Sequence, residues 1–444
     1  MDTKLYVYSH YQNLLVLAAR AGNDIYQNEI NKLSNLPHLR KLFSNNVSIK
    51  DIFIEYWDEF KSRFFDRLRP SIIDNVEKMI NCHNLKNGYL FYECPNCDNY
   101  HITGFSCHSR FCPSCSHKYK ESRSIQISKK LINCPHRHFT FSIPKEMRSY
   151  FWKYRGLFDI LFLSVNEALT NTIRKSNKDV SLDKRLGIIA FQHSYGRDAK
   201  TNPHIHALVA ERTLDINNNL KFMNYFHYEK LRKYWQFILL KNVSFYLKVH
   251  GSKDDYYEFN KLRSFLAKKY LDGFYAHGPQ VKENTSLSSS KKVTDYIIRY
   301  ASHPAISESR IISFDKTNHT VTFYYDPHED EKTLDTSKKK GRQFITEHVF
   351  KFIIRLIRHI PDKGFHLIRY YGFYSNRTTK SIAGVNKLFP CNHINYLKNS
   401  LKWRILIMNT YKYDPILCAC GSKMKLNFYL SYLPNHTKEY ISDA

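Results

Sequence analysis

Two pairs of cysteines, each separated by two residues, are the residues of this sequence most clearly arranged for chemistry. They are Cys94-Pro-Asn-Cys97 and Cys112-Pro-Ser-Cys115, with 14 residues between them. Each pair can present two thiolates from one tight turn, and four thiolates satisfy the tetrahedral coordination of zinc. The spacing therefore predicts a structural zinc site formed by these four cysteines. A redox function is the less favoured interpretation, because two such pairs occur together.

Cys82 and Cys107 lie close to these pairs and are not needed for a single tetrahedral site. They either complete a second zinc centre or are ordinary buried cysteines, and the sequence leaves both interpretations open. Near the C-terminus, Cys418 and Cys420 form a weaker pair without two more obvious ligands nearby. No signal peptide is recognised, so we expect an intracellular chain, in which clustered cysteines favour metal ligands over disulfide bonds.

A His-x-His pattern provides a second set of metal-binding side chains. His204 and His206 are two positions apart on a predicted strand, so both project from one face. Two neutral imidazoles side by side are natural ligands for a divalent metal. With 22 histidines, about one such pair arises by chance. His136-Arg-His138 is another instance, in which the charge of Arg137 disfavours a metal between the two rings.

A tyrosine pair provides possible nucleophiles. Tyr296 and Tyr300 are four residues apart on a helix predicted near Val293 to Ser302, so both phenols lie on one face. Composition alone leaves this pair as aromatic packing, because two further pairs have the same spacing, Tyr150/Tyr154 and Tyr370/Tyr374.

The charge balance indicates a polyanionic partner. The 444 residues carry 68 Lys and Arg against 40 Asp and Glu, a formal net charge of +28. Nucleic acid is the commonest such partner; an anionic membrane surface, or solubility through positive charge alone, are the alternatives. The segment from Lys118 to Lys153 is the strongest candidate for a phosphate-contacting face, since it holds nine basic residues against Glu121 and Glu146.

The elements that must position these residues change in character along the chain. Apolar residues at three- and four-residue spacing predict an amphipathic helix from Ile52 to Ile80, interrupted at Pro70. After the cysteines, strands alternate with helices, and the strands Leu186 to Tyr195 and His204 to Ala210 should form an antiparallel pair. The pattern predicts an α+β fold. No uncharged run is long enough to span a membrane, so we expect a soluble, cytoplasmic protein.

These motifs occur in a characteristic order along the chain. The cysteine pairs are followed by Ile189-Ala-Phe-Gln-His-Ser-Tyr-Gly196, by Asn202-Pro-His-Ile-His-Ala-Leu-Val209, by the segment from Tyr296 to Arg310, and by Val321-Thr-Phe-Tyr-Tyr-Asp326. In this combination the sequence resembles, over roughly residues 50 to 425, the two-tyrosine HUH transposases of bacterial insertion sequences of the insertion-sequence-91 type.

The resemblance implies an N-terminal helical and zinc-knuckle domain and an HUH nuclease core, which is an antiparallel sheet backed by helices. Two positions depart from the family pattern: Phe111 stands where a histidine is common, and the spacing of Cys418 and Cys420 is shorter than usual. We expect an N-terminal segment, a helical and zinc-binding domain, an HUH catalytic domain and a C-terminal helical accessory region, over residues 1–50, 51–135, 136–328 and 329–444 respectively.

The resemblance also implies a catalytic metal site. His204 and His206 would hold Mg²⁺ or Mn²⁺ together with a third polar ligand from the neighbouring strand. Gln192 and His193 are the two candidates for that ligand, and Gln192 is the provisional choice. The structural metal would be Zn²⁺.

The reaction implied is cleavage and rejoining of single-stranded DNA in rolling-circle-like transposition. Tyr296 or Tyr300 would attack the scissile phosphate to form a 5′-phosphotyrosine, and two tyrosines permit two successive cleavages. A plasmid replication initiator or relaxase would share this chemistry, and a non-catalytic zinc-dependent nucleic-acid-binding protein would need only the cysteines and the charge. We expect DNA as partner and no membrane association.

Overall fold

In the computed structural model of this chain, the described residues form two compact units. The described residues of unit 1 fall within segments 1–125, 304–363 and 395–444, and those of unit 2 fall within segments 126–303 and 364–394. The units are interleaved along the chain, whereas the predicted domains are continuous, and the domain boundaries stay predictions. The described residues are 47–176, 185–214, 217, 219–222, 227–278, 305–327, 341–375, 387–389 and 391–433.

The secondary-structure elements are numbered here in chain order. The helices are α1 (Ile49–Phe64), α2 (Pro70–Ile80), α3 (Pro113–Ser128), α4 (Arg148–Lys153), α5 (Leu157–Ser176), α6 (Tyr228–His250), α7 (Lys253–Lys269), α8 (Val349–Ile357), α9 (Cys391–Asn399) and α10 (Trp403–Tyr411). The strands are β1 (Tyr89–Glu93), β2 (Tyr100–Gly104), β3 (His136–Ser142), β4 (Arg185–Tyr195), β5 (Thr201–Leu214), β6 (Leu220–Phe222), β7 (Ala276–His277), β8 (Ile311–Asp315), β9 (Thr320–Tyr325), β10 (Gln343–His348), β11 (Ile368–Gly372) and β12 (Lys425–Tyr432).

The residues around Ser48 explain why helix α1 begins where it does. The Ser48 hydroxyl accepts a hydrogen bond from the Asp51 amide, and the Asp51 carboxylate accepts one from the Ser48 amide, which forms a capping box. Aromatic side chains at three- and four-residue spacing, among them Phe53, Trp57 and Phe60, form its buried face. This face belongs to an apolar core shared with α2 and α8.

Pro70 separates α1 from α2, as the sequence predicts. It occupies the first turn of α2, where a backbone amide would have no hydrogen-bond partner within the helix, so the missing amide hydrogen of proline costs nothing. Unit 1 also contains two three-stranded antiparallel sheets. Their strand orders are β12-β1-β2 and β10-β9-β8.

Unit 2 is built on an antiparallel sheet of order β11-β4-β5-β3-β7, and β6 adds to β5. The predicted pairing of β4 with β5 is present, and the α+β fold class is confirmed. One face of this sheet is covered by α5 and α6. The apolar side chains that point to those helices include Phe139, Phe141, Ile205 and Val209, all essentially buried. The sheet is therefore held by a core on one face, and its other face carries the histidines.

Among the described residues, no helix is both long and apolar enough to cross a membrane.

Candidate metal centres

Three histidines converge on the face of the unit 2 sheet opposite its helices. His204 lies directly across from His193 of β4, and His206 is two positions further along β5 on the same face. The Nε2 atoms of His204 and His206 are 3.1 Å apart. One ring nitrogen from each of the three histidines lies within 4.8 Å of the others. Three imidazoles at this spacing can ligate one divalent ion.

Because side chains alternate between the two faces of a strand, only one of Gln192 and His193 can lie on the same face as His204 and His206. Gln192 lies opposite Ile205, and Ile205 points into the helix-covered core. Gln192 is therefore on the other face from the histidines, where its Nε2 has no hydrogen-bond partner among the described residues. The structure places His193 beside His204 and His206, which corrects the provisional choice of Gln192 as third ligand.

Neighbouring groups orient the two rings of the His-x-His motif. The Nδ1 of His204 lies 2.6 Å from the carbonyl oxygen of Asn202, to which it donates, and this leaves Nε2 free for a metal. The Nδ1 of His206 lies 2.8 Å from the Nε2 of His138 and 3.3 Å from the hydroxyl of Thr140. When His206 offers Nε2 to a metal, its Nδ1 carries the proton and donates a hydrogen bond to the Nε2 of His138.

Burial keeps these rings neutral, which is the form that binds metals. It lowers the pKa of His204 to about 4, against the smaller opposing effect of the Asn202 carbonyl. Burial and the neighbouring histidines hold the pKa of His206 well below its ordinary value. At neutral pH His204 and His206 therefore offer uncharged nitrogens, which fit Mn²⁺ better than Mg²⁺ because imidazole is a softer ligand than carboxylate or water.

The sequence disfavours a metal between His136 and His138 because the charged Arg137 separates them. The structure removes that objection, since Arg137 points to the helix-covered face and pairs there with Glu211. His136 is fully buried and bonded to the hydroxyl of Tyr374 at 2.6 Å. His138 thus belongs to the surroundings of the metal site, and the strand register of β3 against β5 is the signal that would have found it.

The first cysteine cluster consists of Cys82, Cys107, Cys112 and Cys115. The Sγ of Cys115 is 3.6 Å from the Sγ atoms of both Cys82 and Cys107, and all four sulfurs lie within 4.8 Å of one another. The amides of Cys107 and Ser109 donate to the sulfurs of Cys82 and Cys107. A hydrogen bond from the Cys107 thiol lowers the pKa of Cys115 strongly. Four sulfurs in this arrangement fit tetrahedral zinc.

The second cysteine cluster consists of Cys94, Cys97, Cys418 and Cys420. The Sγ of Cys94 is 3.5 Å from that of Cys420, and the Sγ of Cys97 is 3.5 Å from that of Cys418. All four sulfurs again lie within 4.8 Å of one another. The pair near the C-terminus, which is a weak signal on its own, thus meets two further cysteines that lie 321 and 326 positions earlier in the sequence.

The prediction that Cys94, Cys97, Cys112 and Cys115 share one ion is wrong, and the hairpin between the two pairs gives the reason. Strands β1 and β2 have five residues each, which extends about 17 Å at 3.4 Å per residue. The first pair lies in the turn at the tip of this hairpin. Cys82 and Cys107 flank the base of the hairpin, on the side where Cys112 and Cys115 follow. The length of the hairpin therefore separates the two cysteines at its tip from the four cysteines near its base.

The predicted nucleophiles Tyr296 and Tyr300 lie outside the described residues, as does the helix predicted around them. The competing tyrosine pairs have structural contacts. Tyr374 is buried and accepts a hydrogen bond from the Ile132 amide. Tyr154 donates to Asp255 at 2.5 Å, and Tyr150 packs edge-on against Phe259.

Comparisons with known proteins assign a zinc-binding domain to the part of the chain that contains the first cysteine cluster. A family described as a putative transposase matches residues 187–381, and a family described as a transposase zinc-binding domain matches residues 52–143. A transposase for insertion sequence element IS801 from Pseudomonas savastanoi pv. phaseolicola is 28% identical over 70% of this chain and 72% of its own length. The putative transposase y4qJ of Sinorhizobium fredii is 22% identical over 74% of this chain and 80% of its own length. No solved structure matches.

The two family matches and the two relatives identify a transposase with a zinc-binding domain. The chain belongs to the transposases of the insertion-sequence-91 type. This membership indicates an enzyme that cleaves or transfers DNA strands, and DNA as its partner. The histidine site lies within the matched transposase residues, and the first cysteine cluster lies within the matched zinc-binding residues.

Proposed function

We propose that this transposase cleaves and rejoins single-stranded DNA at the histidine site, with Tyr296 and Tyr300 as nucleophiles. The observation that carries the proposal is the convergence of the buried side chains of His193, His204 and His206 on the sheet face opposite the helix-covered core. One ring nitrogen from each of these histidines lies within 4.8 Å of the others, so a single divalent ion could bind all three.

The histidines of this site bind and orient. When Mg²⁺ or Mn²⁺ is bound, it neutralises charge on the non-bridging oxygens of the scissile phosphate. His204 and His206 present Nε2 to the ion because Asn202 and His138 engage their Nδ1 atoms. The site would thereby hold the scissile phosphate in place for attack by a nucleophile.

The proposed nucleophile is a phenol oxygen. Attack by Tyr296 or Tyr300 forms a bond between that oxygen and the 5′ phosphorus and breaks the bond from phosphorus to the 3′ oxygen. The phenol loses its proton and the departing 3′ oxygen gains one, which leaves a free 3′-hydroxyl. Because an ordinary phenol has a pKa near ~10, a neighbouring cation such as Arg299 assists by favouring the phenolate.

Two tyrosines support two successive cleavages, one at the donor end and one at the target, as rolling-circle-like transposition requires. The reverse reaction, attack of a 3′-hydroxyl on the phosphotyrosine, rejoins the strands without an external energy source. A replication initiator or relaxase would use the same chemistry. The transposase families matched on both parts of this chain favour transposition.

The test is formation of a covalent protein–DNA adduct. The full chain is incubated with labelled single-stranded DNA from the ends of its element plus Mn²⁺ or Mg²⁺, and the products are separated on a denaturing gel. We expect an adduct that requires metal and is lost in the Tyr296→Phe/Tyr300→Phe double variant, while Tyr370→Phe retains it. A protein that binds this DNA but forms no adduct with any end sequence would overturn the proposal in favour of a non-catalytic zinc-containing binder.

A further inference from the structure

The second cysteine cluster draws on two segments of unit 1 that are far apart in sequence. Cys94 and Cys97 lie in the turn between β1 and β2, and Cys418 and Cys420 lie in the turn that precedes β12. The zinc-binding family match ends at residue 143, so it covers only the first of these pairs. Cys418 and Cys420 therefore lie outside the segment that is similar to a zinc-binding domain.

The spacing of the sulfurs is that of ligands around one ion. A tetrahedron with zinc–sulfur bonds of 2.3 Å has sulfur–sulfur edges of about 3.8 Å. The two contacts that join the segments, Cys94 to Cys420 and Cys97 to Cys418, are both 3.5 Å, close to this value. The same edges in the first cluster are 3.6 Å.

The surroundings of the second cluster stabilise thiolates. The amide of Asn96 donates to the Sγ of Cys94 at 3.4 Å, and the side-chain amide of Asn99 donates to the Sγ of Cys97 at 3.4 Å. Gly421 turns the chain after Cys420 with a φ of +86°, in the region that favours glycine. The Asn96 side chain also donates to the hydroxyl of Ser422 at 2.7 Å, which ties the two turns together.

The apolar core around this cluster is small. The buried apolar residues that pack there are Tyr92, Cys418 and Met424. All eight residues of β12 are exposed or half-buried, including Tyr429, which is fully exposed. A strand with so little buried apolar surface gains little from packing, and a metal ion is the usual substitute in small domains.

We propose that Cys94, Cys97, Cys418 and Cys420 bind a second zinc ion, which fastens β12 to the β1–β2 hairpin and is released before the first. The order of release follows from exposure. Cys420 is exposed and Cys94 and Cys97 are half-buried. In the first cluster, Cys82, Cys112 and Cys115 are buried, so a chelator reaches its ion later. This inference does not depend on the proposed DNA chemistry.

Metal content provides the first test. The purified full chain should contain two zinc ions, and Cys420→Ser should contain one. Cys391→Ser is the matched control, because Cys391 is an exposed cysteine outside both clusters, and it should keep two. One zinc ion in the unsubstituted chain, or two in Cys420→Ser, would overturn the proposal.

Chelator release from the unsubstituted chain provides a second test that does not depend on how a variant folds. A colorimetric chelator should remove zinc in two phases, and Cys420→Ser should show the slow phase alone. Hydrogen exchange measured after the fast phase should show lost protection in residues 425–432, while the amides of α1 and α2 stay protected. A single release phase for both ions, or unchanged protection of residues 425–432 after the fast phase, would contradict the proposal.

Discussion

The histidine site and the first cysteine cluster differ in what holds their ligands in place. His193, His204 and His206 lie on paired strands whose other face is covered by a large apolar core, so the sheet positions them without a metal. Cys82, Cys107, Cys112 and Cys115 come from the end of one helix, the base of the β1–β2 hairpin and the start of another helix, and none of the four lies on a paired strand. Loss of metal should therefore remove chemistry from the first site and structure from the second.

The largest effect is expected for His204→Ala. Loss of this ligand should reduce adduct formation by about 10³-fold or more, because the charge on the scissile phosphate is then no longer neutralised. Thermal melting should change by only a few degrees, since the sheet keeps its core. Rates from the adduct gel and a melting curve check both parts, beside His250→Ala, which replaces an exposed histidine of α6. Equal loss of activity in His204→Ala and His250→Ala would contradict a specific role of His204 in adduct formation.

Cys82→Ser should have the opposite profile. Removal of this buried ligand should destabilise unit 1 by more than about 3 kcal/mol, because metal binding in such sites is coupled to folding. Urea unfolding together with zinc analysis measures the change, with Cys391→Ser as control. Retention of full zinc content and stability in Cys82→Ser would show that the first cluster does not hold its segments through a metal.

Acid should destabilise unit 2 through His136, a buried histidine that is not a proposed ligand. Burial lowers its pKa to about 4. In the unfolded chain the imidazole has an ordinary pKa near 6.5, so between about pH 6.5 and pH 4 it binds a proton that the folded ring does not bind. The contribution of the neutral His136 to the free energy of unfolding is therefore present above about pH 6.5 and is lost as the pH falls toward 4. We expect a loss of about 2 kcal/mol between pH 7 and pH 5. Urea unfolding of His136→Phe should show a weaker pH dependence; an unchanged profile would contradict the assignment.

The smallest effect is expected for His138, which acts through His206. His138→Phe removes the acceptor of the His206 Nδ1 proton and should weaken Mn²⁺ binding by about 10-fold. His138→Gln keeps a carbonyl oxygen that can accept the same proton, so it should recover most of the affinity. Calorimetric titration with Mn²⁺ compares the two. Equal affinities for His138→Phe and His138→Gln would assign His138 to packing alone.

The sequence predicted the parts of the fold that depend on local pattern. The α+β class, the break at Pro70 and the pairing of β4 with β5 follow from spacing and turn residues, and the structure confirms them. The common face of His204 and His206 follows from strand alternation within a single segment. Such inferences need no knowledge of which distant residues meet.

The remaining features depend on register and on long-range pairing. The choice between Gln192 and His193 requires the register of β4 against β5, which includes a shift between His193 and Tyr195 that the sequence does not reveal. The grouping of the cysteines requires the length of the β1–β2 hairpin and the return of the chain at Cys418. Local spacing made four nearby cysteines look like one site, whereas the hairpin divides them.

The most direct test of the account is the affinity for Mn²⁺ of two neighbouring variants, His193→Ala and Gln192→Ala. Both replace a buried polar side chain of β4, on opposite faces of the same strand. We predict that His193→Ala weakens Mn²⁺ binding by about 100-fold, through loss of one of three ligands, while Gln192→Ala leaves it within about threefold of the unsubstituted chain. Loss of affinity in Gln192→Ala with His193→Ala unaffected would contradict the histidine site as the metal centre.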